Sequence, residues 1–393
     1  MDIAHYKYLI IGAGMTADSA VQGIRELDPT GSIGLIGDDH DPPYDRPPLS
    51  KGLWKGKSLE SIWRMTEERS AELFLGRTVI SIEPQEKRVQ DDRQVGYTYE
   101  RLLLATGGTP RKLPFGGENI IYYRSLDDYR RLREMCAQSE HFGVIGGGFI
   151  GSEIAAALAM NGKKVTMLFP EEGIGARVYP RELSQYLNNY FREKGVELLA
   201  GVNVKDLKTS NGSSLLMTDQ GHQISVDGVI GGIGILPNIE LARSTGVNIG
   251  NGIIVDELLR TSLPDIFAAG DVAEFNQVVL GKRLRVEHED NANIMGKQAG
   301  RNMAGASEPY DHLSFFYSDL FELGYEAVGE LDPRLETFAD WKEPFKKGVI
   351  YYLADGRVRG VLLWNVWDTV PAARALIAEP GPFKAADLKN RLP

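Results

Sequence analysis

The amino-acid sequence predicts an α/β protein with two interleaved Rossmann-like dinucleotide-binding domains and a C-terminal α+β domain. The two nucleotide-binding domains are predicted because a strand, a glycine turn and a helix follow one another at the start of the chain, and the same order returns in mid-chain. The last domain is predicted from a dense group of aromatic residues that begins near Tyr310. At 393 residues the chain suits two or three domains better than one hydrophobic core.

The first strand–turn–helix unit lies at the N-terminus, where residues 6–11 form an apolar run and residues 17–27 have helical spacing. The turn carries a dinucleotide-binding fingerprint that ends in alanine: Gly12, Gly14 and Ala17. The first glycine permits a tight turn, the second lets the backbone approach a pyrophosphate, and the third small residue lets the helix pack closely. Asp38 follows the next strand, residues 33–36, where a carboxylate accepts hydrogen bonds from an adenosine ribose.

The second unit has a strand at residues 142–145, a helix at 152–160 and another strand at 165–169. Its fingerprint has glycine at all three positions: Gly146, Gly148 and Gly151. Glu171 stands at the end of the following strand, where a carboxylate binds a ribose diol and repels a 2′-phosphate. This favours NADH over NADPH. Arg177, a little further along, is able to meet a 2′-phosphate, so NADPH stays open.

Further strand ends indicate which nucleotide each domain binds. Residues 266–269 form a strand that delivers Asp271, and in flavoproteins with two such domains this aspartate binds the ribitol chain of FAD. Two more strands, at 102–106 and 226–230, end in glycine turns. We therefore predict an FAD-binding domain at residues 1–120 and 247–309, and an NAD(P)H-binding domain at 121–246.

The C-terminal domain is predicted at residues 310–393. Two strand-like runs, at 348–353 and 357–364, are followed by a helix pattern at 369–378. These elements indicate an antiparallel sheet with helices.

Composition and charge exclude several classes of function. The net charge is −10 and the sequence pI is about 5.3, so the chain repels phosphate backbones and we expect no nucleic-acid partner. Met1–His5 lead directly into a strand, without a basic presequence or an apolar span, which predicts a cytoplasmic protein with no membrane span. No cluster of His and Cys has the spacing of a metal site. The single cysteine, Cys136, excludes an internal dithiol relay, although a lone peroxidatic thiol is still chemically possible.

Together these motifs resemble the flavin-dependent pyridine nucleotide oxidoreductases. The likeness is to the branch of apoptosis-inducing factor and the ferredoxin reductases of oxygenase systems, and it is closer to apoptosis-inducing factor. The segments that carry it are 43–51, 105–111, 146–153, 168–171, 285–288, 317–320 and 363–366. Within the C-terminal domain the chain departs from the eukaryotic proteins: residues 340–346 replace a long insertion, and Tyr317 stands where the animal protein has tryptophan.

The resemblance implies roles that spacing alone does not. It implies that Lys51 lies near the reactive edge of the flavin and pairs with Glu153, where a cation stabilises negative charge on the reduced ring. Phe149 would stand where the nicotinamide stacks on the flavin, and His288 near the cofactors on the opposite side. The other implied cofactor contacts are Arg46, Thr106, Gly107 and Glu287. Without the resemblance, we would interpret Lys51 as an ordinary surface lysine, and His288 as a polar residue whose hydrogen bonds are made within the protein.

The resemblance implies an FAD-dependent NAD(P)H oxidoreductase that transfers a hydride from NADH to FAD and then electrons to an acceptor. The acceptor classes left open are a small electron-transfer protein and a quinone-type molecule. Two alternatives remain: an NADH-dependent ferredoxin or rubredoxin reductase, and a flavoprotein that senses NADH and turns over slowly. A homodimer is also left open.

Overall fold

The computed structural model describes residues 3–210 and 212–393. Met1 and Asp2, with which the predicted FAD-binding domain begins, lie outside the described residues, as does Asn211 of the predicted NAD(P)H-binding domain. The chain divides into two compact units. The first unit comprises the chain up to Arg46, Ser58–Thr109 and Leu236–Ser314; the second comprises Pro47–Lys57, Pro110–Ile235 and Phe315–Pro393. The predicted boundaries of three domains stay a prediction.

The helices of the described residues are α1 (Met15–Leu27), α2 (Leu126–Gln138), α3 (Phe149–Met160), α4 (Arg181–Glu193), α5 (Glu240–Arg243), α6 (Glu289–Met303), α7 (Val370–Ala378) and α8 (Ala385–Leu388). Short 3₁₀ turns lie at Pro47–Ser50, Gly52–Lys55, Leu59–Ile62, Thr66–Arg69, Gly117–Asn119 and Gly270–Val272.

The strands, in chain order, are β1 (Ala4–Ile11), β2 (Ile33–Ile36), β3 (Ala71–Phe74), β4 (Val79–Glu83), β5 (Arg88–Asp91), β6 (Gly96–Leu104), β7 (Gly108–Pro110), β8 (Ile120–Tyr122), β9 (His141–Ile145), β10 (Lys164–Phe169), β11 (Val196–Ala200), β12 (Val204–Ser210), β13 (Ser213–Thr218), β14 (Gln223–Val226), β15 (Gly228–Gly231), β16 (Ile235–Pro237), β17 (Ile253–Ile254), β18 (Ile266–Ala268), β19 (Ala273–Gln277), β20 (Lys282–Leu284), β21 (Phe315–Leu320), β22 (Leu323–Gly329), β23 (Glu336–Glu343), β24 (Lys347–Ala354) and β25 (Arg357–Trp364).

The first unit is built on a sheet in the order β3-β2-β1-β6-β5-β4, with β18 beside β6. The strands β3, β2, β1, β6 and β18 are parallel, whereas β5 and β4 are antiparallel to their neighbours. Leu9 and Ile10 of β1 are fully buried although they point to opposite faces, so both faces of the sheet are covered. This explains why the strand reads as a continuous apolar run.

Helices α1 and α6 of the first unit touch at the level of their backbones. A Cβ atom added at Gly296 would lie 2.4 Å from the carbonyl oxygen of Thr16, and one at Gly300 would lie 2.0 Å from that of Ala20. Only glycine allows so close an approach. The first turn of α1 therefore packs against the middle of α6.

The second unit contains a fully parallel sheet in the order β11-β10-β9-β15-β8 and a three-stranded antiparallel sheet, β12-β13-β14. Its C-terminal part is an antiparallel sheet in the order β21-β22-β25-β24-β23, with α7 packed against β22 and β25. The predicted fold class, parallel nucleotide-binding sheets with a C-terminal α+β part, is confirmed.

One predicted strand is divided in the structure. The strand predicted at residues 226–230 is two strands, β14 and β15, separated at Asp227. The carboxylate of Asp227 accepts hydrogen bonds from the backbone N–H groups of Glu140 and His141, both at 2.9 Å, which turns the chain at this residue. Residues 340–343 belong to β23, and a tight turn links them to β24, in agreement with the direct connection predicted for residues 340–346.

No helix in the described part of the chain is long and apolar enough to span a membrane.

Candidate cofactor-binding and active site

The first fingerprint forms a turn that only glycine can make. Gly12 has a φ of +115°, and a Cβ atom there would lie 2.2 Å from the carbonyl oxygen of Ala105. Gly14 is the N-cap of α1, and nothing lies within 4 Å of the place where its Cβ would be. Ala17 is fully buried against the sheet. At the N-terminus of α1, no side chain therefore lies between the backbone of Gly14 and the open space beside it. Pyrophosphate binding at a helix N-terminus requires such access to the backbone N–H groups.

Two acidic residues are brought to this turn by close backbone packing. A Cβ atom at Gly37 would lie 2.5 Å from that of Ala13, which places Asp38 at the end of β2 beside the fingerprint, with its side chain exposed. Gly270 has a φ of +79°, and its Cβ would lie 2.3 Å from the hydroxyl of Thr16. The turn that carries Asp271 therefore packs on the first turn of α1.

The glycine turn after β6 is held by Asn238. The Thr106 hydroxyl donates to the Asn238 carbonyl oxygen at 2.8 Å, and the Asn238 side-chain amide donates to the Thr106 carbonyl oxygen at 2.8 Å. The Asn238 N–H also donates to the carbonyl oxygen of Gly107 at 3.0 Å. The hydroxyl proton of Thr106 is therefore used within the protein, and the role predicted for this turn rests on its backbone.

The remaining predicted residues of the first unit have specific partners. The Arg46 guanidinium lies 5.4 Å from the centroid of the Tyr44 ring, and the exposed Glu287 forms an ion pair with Arg285 at 2.6 Å. His288 is the N-cap residue of α6. Desolvation lowers the pKa of His288 to about 4, against the opposing charges of Asp271 and Asp290, so its imidazole is neutral near pH 7.

The first unit also contains a buried ionic cluster that sequence reasoning missed. Asp18 of α1 is fully buried, and its carboxylate accepts hydrogen bonds from Arg64 at 2.8 Å, Arg69 at 3.1 Å and Thr66 at 2.6 Å. Arg64 also binds Asp45 at 2.7 Å. The cluster therefore ties the loop just before Arg46 to α1. No local pattern in the sequence marks it.

In the second unit, the other fingerprint repeats the same geometry. Gly146 has a φ of +116°, and its Cβ would lie 2.3 Å from the carbonyl oxygen of Gly232. A Cβ at Gly151 would lie 2.0 Å from the carbonyl oxygen of Gly146. Gly148 is the exposed N-cap of α3, with nothing within 4 Å of its Cβ position. A second helix N-terminus therefore faces open space.

Glu171 and Arg177 form an ion pair at the end of β10. The Arg177 Nε donates to Oε1 of Glu171 at 2.7 Å. The Arg177 side chain is 82% exposed and that of Glu171 is 24% exposed. An ion pair so accessible contributes little stability, about 0–1 kcal/mol, and is readily exchanged for a ligand.

The predicted pairing of Lys51 with Glu153 is present within the second unit. The Lys51 Nζ lies 2.8 Å from Oε2 of Glu153, and the side chains are only 11% and 3% exposed. Two serine hydroxyls complete the environment of the carboxylate: Ser50 donates to Oε2 and Ser318 to Oε1, each at 2.5 Å. Sequence reasoning missed both serines because serine gives no signal of its own.

Phe149 and Glu153 lie one turn apart on the same face of α3. The centroid of the Phe149 ring lies 5.2 Å from that of Phe316, and the Lys51 Nζ lies 5.3 Å from the centroid of the Tyr317 ring. One face of α3 thus carries, in order, an open helix N-terminus, an aromatic ring and a buried ion pair.

These features fit two dinucleotides. Each fingerprint leaves a backbone cradle that a Cβ at Gly14 or Gly148 would fill, and each has an acidic residue at the end of the next strand. Among the described residues, no group of three or more His, Cys, Asp and Glu could hold a metal ion. Burial raises the pKa of the half-buried Cys136 thiol, which lowers its reactivity.

Two family models match the chain. The model described as pyridine nucleotide-disulphide oxidoreductase matches residues 6–296. The model described as the C-terminal region of apoptosis-inducing factor, mitochondrion-associated, matches residues 299–344 and 339–379. The two models together follow the predicted order of nucleotide-binding and C-terminal parts.

Individual proteins show the same relationship. The chain is 34% identical to apoptosis-inducing factor 1, mitochondrial, of Dictyostelium discoideum, over 96% of this chain and 79% of that protein. It is 32% identical to the ferredoxin–NAD(+) reductase component of the anthranilate 1,2-dioxygenase system of Burkholderia cepacia, over 97% of each. The structure of a covalent putidaredoxin reductase–putidaredoxin complex matches with a TM-score of 0.89 and 29% identity, over 96% of this chain and 94% of that chain.

These similarities confirm the function and cofactors predicted from the sequence. The protein is an FAD-dependent oxidoreductase that takes electrons from a nicotinamide nucleotide and passes them to an acceptor. Its cofactors are FAD and NAD(H). The chain belongs to the pyridine nucleotide-disulphide oxidoreductase family, in the branch that holds apoptosis-inducing factor and the ferredoxin reductases.

Proposed function

We propose that this oxidoreductase prefers NADH to NADPH, works without a redox-active disulfide and delivers its electrons to a small electron-transfer protein. In this proposal hydride transfer takes place beside α3, where the second fingerprint, Phe149 and the buried Lys51–Glu153 pair share one face. A nucleotide bound at Gly148 would extend along elements that already hold an aromatic ring and a buried charge.

In this proposal the residues of each unit have separate tasks. In the first unit, FAD is bound by Gly12, Gly14, Ala17, Asp38, Arg46, Thr106, Gly107, Asp271, Glu287 and His288. In the second unit, the nicotinamide nucleotide is bound by Gly146, Gly148, Gly151, Glu171 and Arg177. When bound, FAD supplies the redox chemistry, accepting a hydride from the nicotinamide and releasing electrons to the acceptor. Lys51, Glu153, Phe149 and His288 orient the reacting groups and exclude water.

The preference for NADH is proposed from the position of Glu171. Its carboxylate follows β10 and is partly exposed, so ribose hydroxyls are able to donate to it, whereas a 2′-phosphate is repelled. Arg177 already binds this carboxylate, and the ion pair reduces the attraction that its guanidinium would offer a phosphate. While they remain paired, both residues therefore favour NADH over NADPH.

Electron transfer without a dithiol is proposed from the cysteine count. The sequence has one cysteine, Cys136, and a disulfide within the chain needs two. Its raised pKa also argues against a lone thiolate as the electron carrier. The acceptor is therefore proposed to take electrons from the flavin directly.

A small electron-transfer protein is proposed as the acceptor because a relative is named as a ferredoxin reductase component and a matching structure is a reductase–putidaredoxin complex. The second candidate, a slow sensor of NADH, stays a prediction. A quinone-type acceptor, a homodimer and a cytoplasmic location stay predictions.

Anaerobic stopped-flow mixing with NADH, followed by addition of ferredoxin, a quinone or air, separates these functions. A reductase is expected to lose its flavin absorbance rapidly with NADH and to recover it rapidly with ferredoxin. If the absorbance changes persist for minutes with every acceptor, the sensor function is favoured. Failure of NADH to change the flavin spectrum would contradict the proposal itself.

A further inference from the structure

The carboxylate of Glu153 is enclosed by donors from three separate stretches of the second unit. The Lys51 ammonium lies 2.8 Å from Oε2, which also accepts a hydrogen bond from the Ser50 hydroxyl at 2.5 Å. Oε1 accepts a hydrogen bond from the Ser318 hydroxyl at 2.5 Å. Ser50 and Ser318 are both buried, and Glu153 is 3% exposed. Such a site has little access to solvent, so the orientation of the carboxylate is decided by these donors.

The two hydroxyls restrict a torsion that is otherwise soft. The terminal torsion of a glutamate side chain has broad minima, so the plane of a carboxylate is set by its hydrogen bonds. Here Ser318 holds one oxygen while Ser50 and Lys51 share the other. Loss of either hydroxyl would free the carboxylate to rotate and would change where the Lys51 ammonium rests.

Three successive residues of strand β21 contact the Lys51–Glu153 pair or the 3₁₀ turn that follows Lys51. The Tyr317 ring lies 5.3 Å from the Lys51 Nζ, Ser318 donates to Glu153, and the Asp319 carboxylate lies 3.1 Å from the Nζ of Lys55. The segment that carries Lys51 is also held at Leu49, whose carbonyl oxygen accepts hydrogen bonds from Trp54 and Tyr123. The C-terminal sheet is thus a direct support of the Lys51–Glu153 pair.

We infer that Ser50 and Ser318 are positioning residues for electron transfer, which act by fixing the Glu153 carboxylate and, through it, the Lys51 ammonium. The direction of the expected effect rests on the proposed function, in which Lys51 faces the flavin. The competing account is that the serines only satisfy a buried carboxylate. On that account their loss lowers stability but leaves the flavin potential unchanged.

The test compares Ser318→Ala with Ser318→Thr, which keeps the hydroxyl and suits a strand. We measure the flavin midpoint potential by anaerobic dithionite titration with a reference dye, the rate of reduction by NADH, and the affinity for FAD. Ser318→Ala removes a hydrogen-bond donor that stabilises the negative charge of Glu153. We therefore expect a lower potential and reduction slower by about tenfold, or ~1.4 kcal/mol of barrier. Ser318→Thr should restore both.

Ser214→Ala is the matched control. Ser214 is a buried serine of the second unit, on β13, and its hydroxyl lies 3.4 Å from that of Thr209, in contact with neither Lys51 nor Glu153. We expect this variant to keep the potential and rate of the wild type. An equal shift in Ser214→Ala would show a general effect of lost buried hydroxyls and would overturn the inference.

A double-mutant cycle tests whether Ser318 acts through Glu153. In a Glu153→Gln background no carboxylate charge remains, so the added effect of Ser318→Ala on the potential should vanish. An effect of the same size in both backgrounds, or none in either, overturns the inference. If Ser318→Ala does not fold, Ser50→Ala enters the same cycle. If NADH fails to reduce the wild type, the proposed function falls, while the dithionite titration still decides the role of the serines.

Discussion

The most informative single change is Lys51→Met, which removes the ammonium but keeps a side chain of similar length. Glu153 would remain buried, with a negative charge and only the hydroxyls of Ser50 and Ser318 as its hydrogen-bond donors from this cluster. The variant therefore isolates the contribution of the charge partner. Its effect should appear in both stability and flavin chemistry.

The magnitude follows from the burial of the pair. Exposed ion pairs contribute about 0–1 kcal/mol, whereas removing one partner of a buried pair costs ~3–5 kcal/mol because a charge is left uncompensated. With side chains 11% and 3% exposed, the Lys51–Glu153 pair belongs to the second class. The two serine hydroxyls keep part of the carboxylate stabilised, so we expect a loss of about 3 kcal/mol. That is a large fraction of the ~5–15 kcal/mol by which typical domains are stable.

Denaturation of the FAD-free protein, followed by tryptophan fluorescence, measures the loss of stability. Lys55→Met is the matched control, because Lys55 lies in the same segment and pairs with Asp319 at 3.1 Å, but its side chain is 42% exposed. We expect this control to change stability by less than about 1 kcal/mol. The double variant Lys51→Met/Glu153→Met should be milder than Lys51→Met alone, since no unpaired charge remains.

The same variant should alter the flavin. Uncompensated negative charge near the ring disfavours added electrons, so Lys51→Met should lower the midpoint potential and slow reduction by NADH while FAD still binds. Each tenfold loss of rate corresponds to ~1.4 kcal/mol of barrier. If stability, potential and rate all match those of Lys55→Met, the pair has no role and the reasoning is refuted.

Three further predictions concern the cofactors and pH. FAD should be bound without a covalent link, so acid precipitation should release all the yellow colour; colour retained in the pellet contradicts this. Glu171→Ala should narrow the ratio of kcat/KM for NADH over NADPH by one to a few kcal/mol, on the order of tenfold or more; a wild type that is faster with NADPH shows the assignment to be wrong. Because the pKa of His288 falls to about 4 in the folded protein, the unfolded chain binds this proton first, and stability should be lost as pH falls from about 6.5 to about 4. The free energy of unfolding of His288→Gln should fall less over that range than that of the wild type, by on the order of 3 kcal/mol; parallel curves of unfolding free energy against pH would show that His288 does not cause the loss.

Much of the fold could be predicted because its signals are local. The strands at Ile33–Ile36 and Arg357–Trp364 have their predicted bounds, since apolar runs between turn residues mark buried strands. Helices α1 and α3 begin two or three residues earlier than their apolar spacing indicates, directly after Gly14 and Gly148. A helix whose N-cap is glycine leaves no side-chain signal at its start.

The sequence could also predict the fingerprint glycines, because their roles depend on backbone conformation within a few residues. The positive φ of Gly12 and Gly146 and the open space at Gly14 and Gly148 agree with the predicted turns. Lys51 and Glu153 were paired only through a resemblance, since they lie about a hundred positions apart and neither has a local motif that names the other.

By itself, the sequence determined the two nucleotide-binding turns, much of the order of strands and helices and the count of a single cysteine, because each depends on neighbouring residues or on a count. Only the tertiary structure decided that Ser50 and Ser318 meet at Glu153, that Arg64 joins Asp18 to Asp45, and that Asp227 divides a predicted strand. These contacts join distant residues, and their common cause is physical: a buried carboxylate requires donors, and only folding determines which donors come within reach.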